Sequence, residues 1–283
     1  MGEDFKVPGE GRDYSRLLTD YGMVEYEWTR YKFMYEGMCI SMFGPPKHSA
    51  PLATKIPDEL LSRYAMNGAA EIGSDPQDAR KPPNWPLVYI PAWVDFCLAK
   101  IAKKEAYAYG ITDAWVWTAL EEFLRKGQRV GIIGSTSPWY ESNVLYYGGI
   151  PVTIEYNPIM MLDSRLSYLS PSELKGAENS FDAILSISSI EHDGLGMYGD
   201  PLDPEGDLKS MAIHRGLLKE GGLMFLAVPV GKDAVIFNSV RRYGKARLPL
   251  LTQGFKQIKS YGLSPLNMEQ EGCVHALMVL EKN

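Results

Sequence analysis

The sequence predicts an α/β protein, a doubly wound and mostly parallel sheet with helices on both faces, preceded by an N-terminal extension that is mainly helical or irregular. Three observations carry this expectation. An apolar run, Val130-Gly131-Ile132-Ile133, breaks at Gly134-Ser135-Thr136-Ser137-Pro138, and a second run, Val152-Thr153-Ile154, ends on Glu155. This is the layout of a βαβ unit: the glycine lets the chain turn tightly off the first strand, and the acid at the tip of the second can take both hydroxyls of a ribose. Further strand candidates then alternate with helical or irregular crossovers, as a parallel sheet requires. Finally, 283 residues with 45% hydrophobic content can bury a full core.

Taken in order, residues 1–110 are rich in Tyr, Trp, Met and Pro and form the expected extension, packing on a core domain over 111–283. The extension carries only short amphipathic stretches such as Tyr26 to Met38, and the proline segments Gly44-Pro45-Pro46, Lys81-Pro82-Pro83 and Trp85-Pro86 interrupt any long helix. From Thr112, placed as a cap, Val116, Ala119, Leu120, Phe123 and Leu124 recur at helical spacing. That helix delivers the chain into a strand over Arg129 to Ile133. Strands follow at Val152 to Glu155, Ala183 to Ser188 and Leu223 to Val228. The helix before the last of these has Asp207 as its cap, Leu208, Met211 and Ala212 as its apolar face, and Gly221-Gly222 as its stop. An amphipathic piece near Leu251 to Ile258 leads to a terminal strand, His275 to Leu280.

Composition excludes several function classes. A formal charge of -6 without a basic stripe argues against nucleic-acid and anionic-membrane surfaces. Cys39, Cys97 and Cys273 are far apart with no C-x-x-C, so they read as buried thiols of a reducing compartment. There is no leader-like start and no run near the ~18 apolar residues of a membrane span. The expectation is a soluble, cytoplasmic protein with a small-molecule substrate, and assembly with like chains is left open.

Phe181-Asp182-Ala183-Ile184-Leu185-Ser186-Ile187-Ser188-Ser189-Ile190-Glu191-His192 resembles the fourth-strand segment of class I S-adenosylmethionine-dependent methyltransferases. Leu217-Leu218-Lys219-Glu220-Gly221-Gly222-Leu223 resembles the turn before their fifth strand. Within that superfamily, the string from Glu191 through Tyr198-Gly199-Asp200-Pro201-Leu202-Asp203-Pro204-Glu205-Gly206-Asp207 and on to Val228-Pro229-Val230-Gly231-Lys232-Asp233 looks like an uncharacterised family known as "Caenorhabditis protein of unknown function". The resemblance implies a Rossmann-like fold, S-adenosylmethionine as cofactor and methyl transfer as reaction. The chain departs from the methyltransferase pattern at Ile132, where an acid is usual, and at Thr136 and Pro138, where further loop glycines are usual. The cofactor's amino group thereby loses a usual partner.

On this reading Gly134, Ser135 and Thr136 face the amino-acid end of the cofactor, Glu155 accepts from the ribose, Tyr156 flanks the adenine, and Ser188 completes the cofactor set. Trp139 and Tyr140 either shield the cofactor or join the core. His192, between Glu191 and Asp193 past the carboxyl end of a central strand, is placed as a general base whose tautomer a neighbouring carboxylate fixes. Substrate contacts are assigned to Tyr198 and Asp200 in an acidic lid-like loop, Asp193 to Asp207, and to Asn238, Arg241 and Arg242, whose guanidinium forks suit an acidic substrate. His214 reads as structural, and His48 and His275 have no assigned role. No metal is assigned, although the loop's acids leave open a metal-assisted or nucleotide-sugar-processing enzyme. A non-catalytic binding protein is the third reading.

Overall fold

The computed structural model describes residues 55–74 and 87–283. The Tyr26 to Met38 stretch, the three proline segments, Cys39 and His48 lie outside the described residues.

The described chain begins with helix α1 (Asp58–Tyr64) and strand β1 (Glu71–Ser74), then strand β2 (Leu87–Tyr89) and helices α2 (Pro91–Ala102) and α3 (Ile111–Phe123). Strand β3 (Arg129–Ile133), helix α4 (Trp139–Tyr146) and strand β4 (Ile150–Ile154) form the first βαβ unit. Short strands β5 (Ile159–Met161) and β6 (Ser167–Leu169) precede β7 (Phe181–Ile187), helix α5 (Gly206–Leu217) and the long strand β8 (Leu218–Val230). Strands β9 (Ala234–Phe237) and β10 (Arg241–Arg242), helix α6 (Leu248–Leu251) and the edge pair β11 (Phe255–Tyr261) and β12 (Val274–Lys282) close the chain.

The main sheet has seven strands in the order β11-β12-β8-β7-β3-β4-β6. From β6 to β8 all neighbours are parallel, whereas β12 is antiparallel to both β8 and β11. Read by chain order, the five parallel strands run 3-2-1-4-5, so the direction of winding reverses between β3 and β7. A sheet of this kind opens a crevice outside the carboxyl ends of the strands at that reversal. Helices cover both faces because alternate strand residues point to opposite sides. Val130, Ile132, Leu185, Phe225 and Ala227 pack with α2, α3 and α4, while Ile184, Met224, Leu226 and Val228 pack with α5 and α6. The expected doubly wound, mostly parallel fold is therefore observed.

The described residues upstream of 111 are woven into this body: Cys97 and Ile101 of α2 belong to the same buried cluster as the β3 residues, β2 pairs with β5, and β1 pairs with β9.

Several local expectations change. Thr112 lies inside α3 and does not cap it. The Asp113 Oδ2 carboxylate oxygen instead accepts the backbone N–H groups of Tyr107, Ala108 and Tyr109 in the turn leading into the helix. Asp207 likewise makes no cap hydrogen bond, because its carboxylate accepts from Arg247 and Tyr243 in the interior. Helix α5 ends at Leu217, ahead of Gly221-Gly222, and the chain enters β8 directly; Gly221, exposed, and Gly222, buried, sit in its first part, where the pairing with β7 shifts register. The piece near Leu251 to Ile258 divides into α6 and strand β11.

Candidate functional site

At the winding reversal lies a cleft of about 290 Å³, lined by residues of the loop after β3, the end of β7, the acidic loop and the turn before β10. The loop after β3 shapes one wall. Gly134 has φ +66°, and a Cβ there would stand 2.1 Å from Ser189 Oγ, so only glycine fits the turn. The space denied to a side chain at Gly134 is filled by the protein's own serine.

What holds this loop is a buried polar cluster. Trp139 Nε1 and Tyr140 Oη both donate to Asp113 Oδ1 at 3.1 Å. Tyr89 Oη donates to the Ser135 carbonyl at 3.0 Å, and Ser135 Oγ lies 3.0 Å from Glu141 Oε2, whose other oxygen accepts from Thr153 Oγ1 at 2.6 Å. Burial drives the Glu141 carboxyl up to about 7 against the pull of those hydroxyls. The Ser135 side chain is therefore committed inward, and its contribution to the cleft is backbone. The amides of Ser135, Thr136 and Ser137 meet no acceptor among the described residues. Successive amides of this kind beside a helix start make a cradle for a carboxylate or phosphate. Trp139 is a fully buried core residue, whereas Tyr140, also buried, still lines the cleft.

Glu155 extends past β4, next to the Gly134 turn, whose amide donates to the Ile154 carbonyl. Its Oε1 accepts the amide and side-chain N–H groups of Asn157 at 3.0 Å each, and burial raises its carboxyl above the usual range. Tyr156 is 80% exposed. Neither Glu155 nor Tyr156 lines the cleft itself.

The opposite wall carries His192, in a 3₁₀ turn over Ile190–His192. His192 Nδ1 lies 2.6 Å from the Ser239 carbonyl oxygen. A carbonyl only accepts, so Nδ1 carries the proton and Nε2 is left with its lone pair. The tautomer is thus fixed by a backbone carbonyl and not, as expected from sequence, by a carboxylate. Glu191 is fully buried: Oε1 accepts from Ser188 Oγ at 2.6 Å and stands 3.8 Å from His192 Nε2, while Oε2 has no partner among the described residues. Desolvation raises its pKa. Ser188, with φ +51°, lines the cleft with His192 and Tyr198, whose ring meets the imidazole edge-on at 5.6 Å.

The structure does not support several of the expected substrate contacts. Asp200 folds back on its own loop, accepting the amides of Gly194, Gly196 and Tyr198. Arg241 has no exposed surface and donates to the carbonyls of Asp193, Asp203 and Pro204, with Asp207 at 3.6 Å. It clamps the acidic loop and is spent there. Arg242 donates to the carbonyls of Lys232 and Glu271, away from the cleft. Asp193 is turned toward Ser210, and burial drives its carboxyl up to about 7. Asn238, largely buried with φ +58°, sits beside the cleft residues Ser239 and Val240 without lining the cleft. The loop from Asp193 to Asp207 is not an open lid, because Tyr64 Oη also donates to the Gly194 carbonyl and Arg247 to the Pro204 carbonyl. Among the described residues no cluster of His, Cys, Asp or Glu could hold a metal ion, and no helix is long and apolar enough to cross a membrane. His214 is buried inside, its pKa lowered to about 4 by desolvation. His275 lies against Tyr109.

Sequence reasoning missed Tyr109, Met197, Ser239 and Val240 as cleft residues. Ser239 and Val240 lie between two residues that were singled out. Tyr109, in contrast, comes from an irregular segment far upstream, where no periodicity marks it.

A family model described as "Caenorhabditis protein of unknown function, DUF268" matches residues 127–272, just over half of the chain and the whole of the cleft except Tyr109. No curated protein matches the sequence. Among solved structures, the chain is similar to Burkholderia thailandensis 1,6-didemethyltoxoflavin-N1-methyltransferase with bound 1,6-didemethyltoxoflavin and S-adenosylhomocysteine, at 16% identity, 71% of this chain, 94% of that chain and a TM-score of 0.46. It is also similar to a SAM-dependent methyltransferase from Methanosarcina mazei, at 12% identity, 62% of this chain, 99% of that chain and a TM-score of 0.42. Likeness at this level carries no part of the functional argument.

Proposed function

The chain belongs to the family described as Caenorhabditis protein of unknown function, DUF268, and we propose that it transfers a methyl group from S-adenosylmethionine to a small molecule held in the cleft at the winding reversal of its sheet. The observation that carries this reading is the loop after β3. Its Ser135, Thr136 and Ser137 amides meet no acceptor among the described residues, and these residues line the crevice where doubly wound sheets bind their ligands. They suit the carboxylate of an amino-acid moiety. Glu155, at the tip of the adjacent strand beside the Gly134 turn, is held in place by Asn157 and the Tyr156 amide, and a carboxylate at that strand end suits a ribose diol. The methyl-transfer domain is 111–283, with the described residues 55–74 and 87–110 packed on it.

When bound, S-adenosylmethionine supplies a methyl group already activated on sulfur. The protein's share of the chemistry is then alignment of the acceptor and removal of its proton. His192, with Nδ1–H fixed on Ser239, holds Nε2 ready to take that proton. Tyr140, Tyr198 and Met197 supply apolar surface against which an acceptor is oriented and water is excluded.

Calorimetric titration of the full chain tests the cofactor assignment. S-adenosylhomocysteine is expected to bind and NAD not to. Glu155→Ala is expected to weaken S-adenosylhomocysteine binding by about 1–3 kcal/mol, the usual cost of losing a charged hydrogen-bond partner. Unchanged affinity in a folded Glu155→Ala variant would move the ribose elsewhere.

A further inference from the structure

We infer that the acceptor atom is a neutral hydroxyl oxygen, so that the substrate is an alcohol or a phenol and neither a carboxylate nor an ammonium ion. The inference rests on the methyl-transfer reading above and deepens it. Two independent observations support it.

The first is the fixed tautomer of His192. A carboxylic acid has an ordinary pKa near ~4 and arrives at neutral pH already deprotonated, with no use for a base. A hydroxyl keeps its proton until its oxygen becomes bonded to carbon, and that proton needs an acceptor within reach. The 2.6 Å contact to the Ser239 carbonyl prepares such an acceptor at Nε2, and His192 lines the cleft.

The second is the charge inventory. Among the described residues no lysine or arginine lines the cleft. Arg241 and Arg247 are buried on the carbonyls and Asp207 of the acidic loop and are spent there. With the loop amides already given to the donor's own carboxylate, a carboxylate substrate would leave water for walls that hold no lysine or arginine among the described residues and have Glu191 and Asp193 next to His192, which is costly. Nor, among the described residues, does an acid line the cleft itself, so an ammonium ion would likewise lose its water without a direct partner there. What the walls do offer is neutral: the rings of Tyr109, Tyr140 and Tyr198, and the side chains of Met197 and Val240.

The step balances with these groups alone. The hydroxyl oxygen forms its bond to the methyl carbon as the carbon–sulfur bond breaks with its electron pair left on sulfur, and the hydroxyl proton passes to His192 Nε2. The resulting imidazolium has Glu191 Oε1 at 3.8 Å to stabilise it. Sugar-like alcohols and phenols share this chemistry, and both fit ring-lined walls.

The test is calorimetry on the full chain saturated with S-adenosylhomocysteine, using a methyl hexopyranoside, phenol, benzoate and benzylamine as probes. At least one neutral probe is expected to bind tenfold or more tightly than benzoate and benzylamine, and which one it is separates the alcohol from the phenol. Benzoate or benzylamine binding as well as the better neutral probe would overturn the inference, as would binding of none of the four. Absence of S-adenosylhomocysteine binding in the first titration is a separate outcome, which overturns the cofactor reading and the hydroxyl inference with it.

Discussion

At the scale of single residues, the site divides into side chains that are spent and side chains that are available. Glu191, His192 and Asp193 are consecutive, yet only His192 lines the cleft. Arg241 looks like a ligand-binding fork in sequence, but its guanidinium is buried on main-chain carbonyls. His192→Asn is expected to lower turnover by roughly a hundredfold or more, the range for a positioned acid-base group, while S-adenosylhomocysteine affinity stays nearly intact. Full activity in that variant, measured with an alcohol acceptor, would leave alignment as the protein's sole contribution. Arg241→Met is expected to destabilise the fold by about 3–5 kcal/mol, because it breaks a buried charge cluster and strips donors from the carbonyls of Asp193 and Asp203. Denaturant unfolding measures this loss. A change under ~1 kcal/mol, the worth of an exposed ion pair, would mean that the arginine clamps nothing.

At the scale of elements, the loop after β3 is positioned by three neighbours: α3 through Asp113, β2 through Tyr89 and β4 through Thr153 by way of Glu141. Glu141 makes this arrangement sensitive to pH. Its carboxyl is raised from 4.5 to about 7 in the fold, so the protonated form is the one the native state favours. Its contribution to stability is therefore fully present below 4.5 and is lost as pH rises through about 7. Asp193, raised from 3.8 to about 7, acts in the same sense. His214 acts in the opposite sense: lowered from 6.5 to about 4, it contributes above 6.5 and loses that contribution as pH falls through about 4. Comparing a variant with its parent separates these terms. Between pH 4.5 and 7.5 the melting temperature of Glu141→Gln is expected to fall less steeply than that of the parent. Parallel curves would show that Glu141 is ionised in the fold.

At the scale of the whole molecule, the parallel core was legible because its strands are apolar on both faces, and such runs stand out between turn signals. The βαβ unit from Arg129 to Ile154, the strand ending before Ser188 and the last strand are all observed. Strand β11 was not legible: Phe-Lys-Gln-Ile-Lys-Ser-Tyr at a sheet edge has much of its length exposed and is polar enough to resemble a helix face. Strands β9 and β10 were missed because two- to four-residue strands give no periodicity to detect. The cleft was legible where it lies at strand ends, as at Gly134 to Thr136 and His192. It was illegible where a residue's role depends on a distant partner, as with the Ser239 carbonyl that sets the His192 tautomer or the carbonyls that consume Arg241.

The central claim is that a methyl donor binds across the winding reversal, with its amino-acid end on the loop after β3. A crystal structure of the full chain with S-adenosylhomocysteine tests it most directly. The account predicts the ligand carboxylate within hydrogen-bond distance of the Ser135, Thr136 or Ser137 amides, and the ribose hydroxyls on Glu155. Ligand density elsewhere on the molecule, or in this cleft with the ribose away from Glu155, would contradict it.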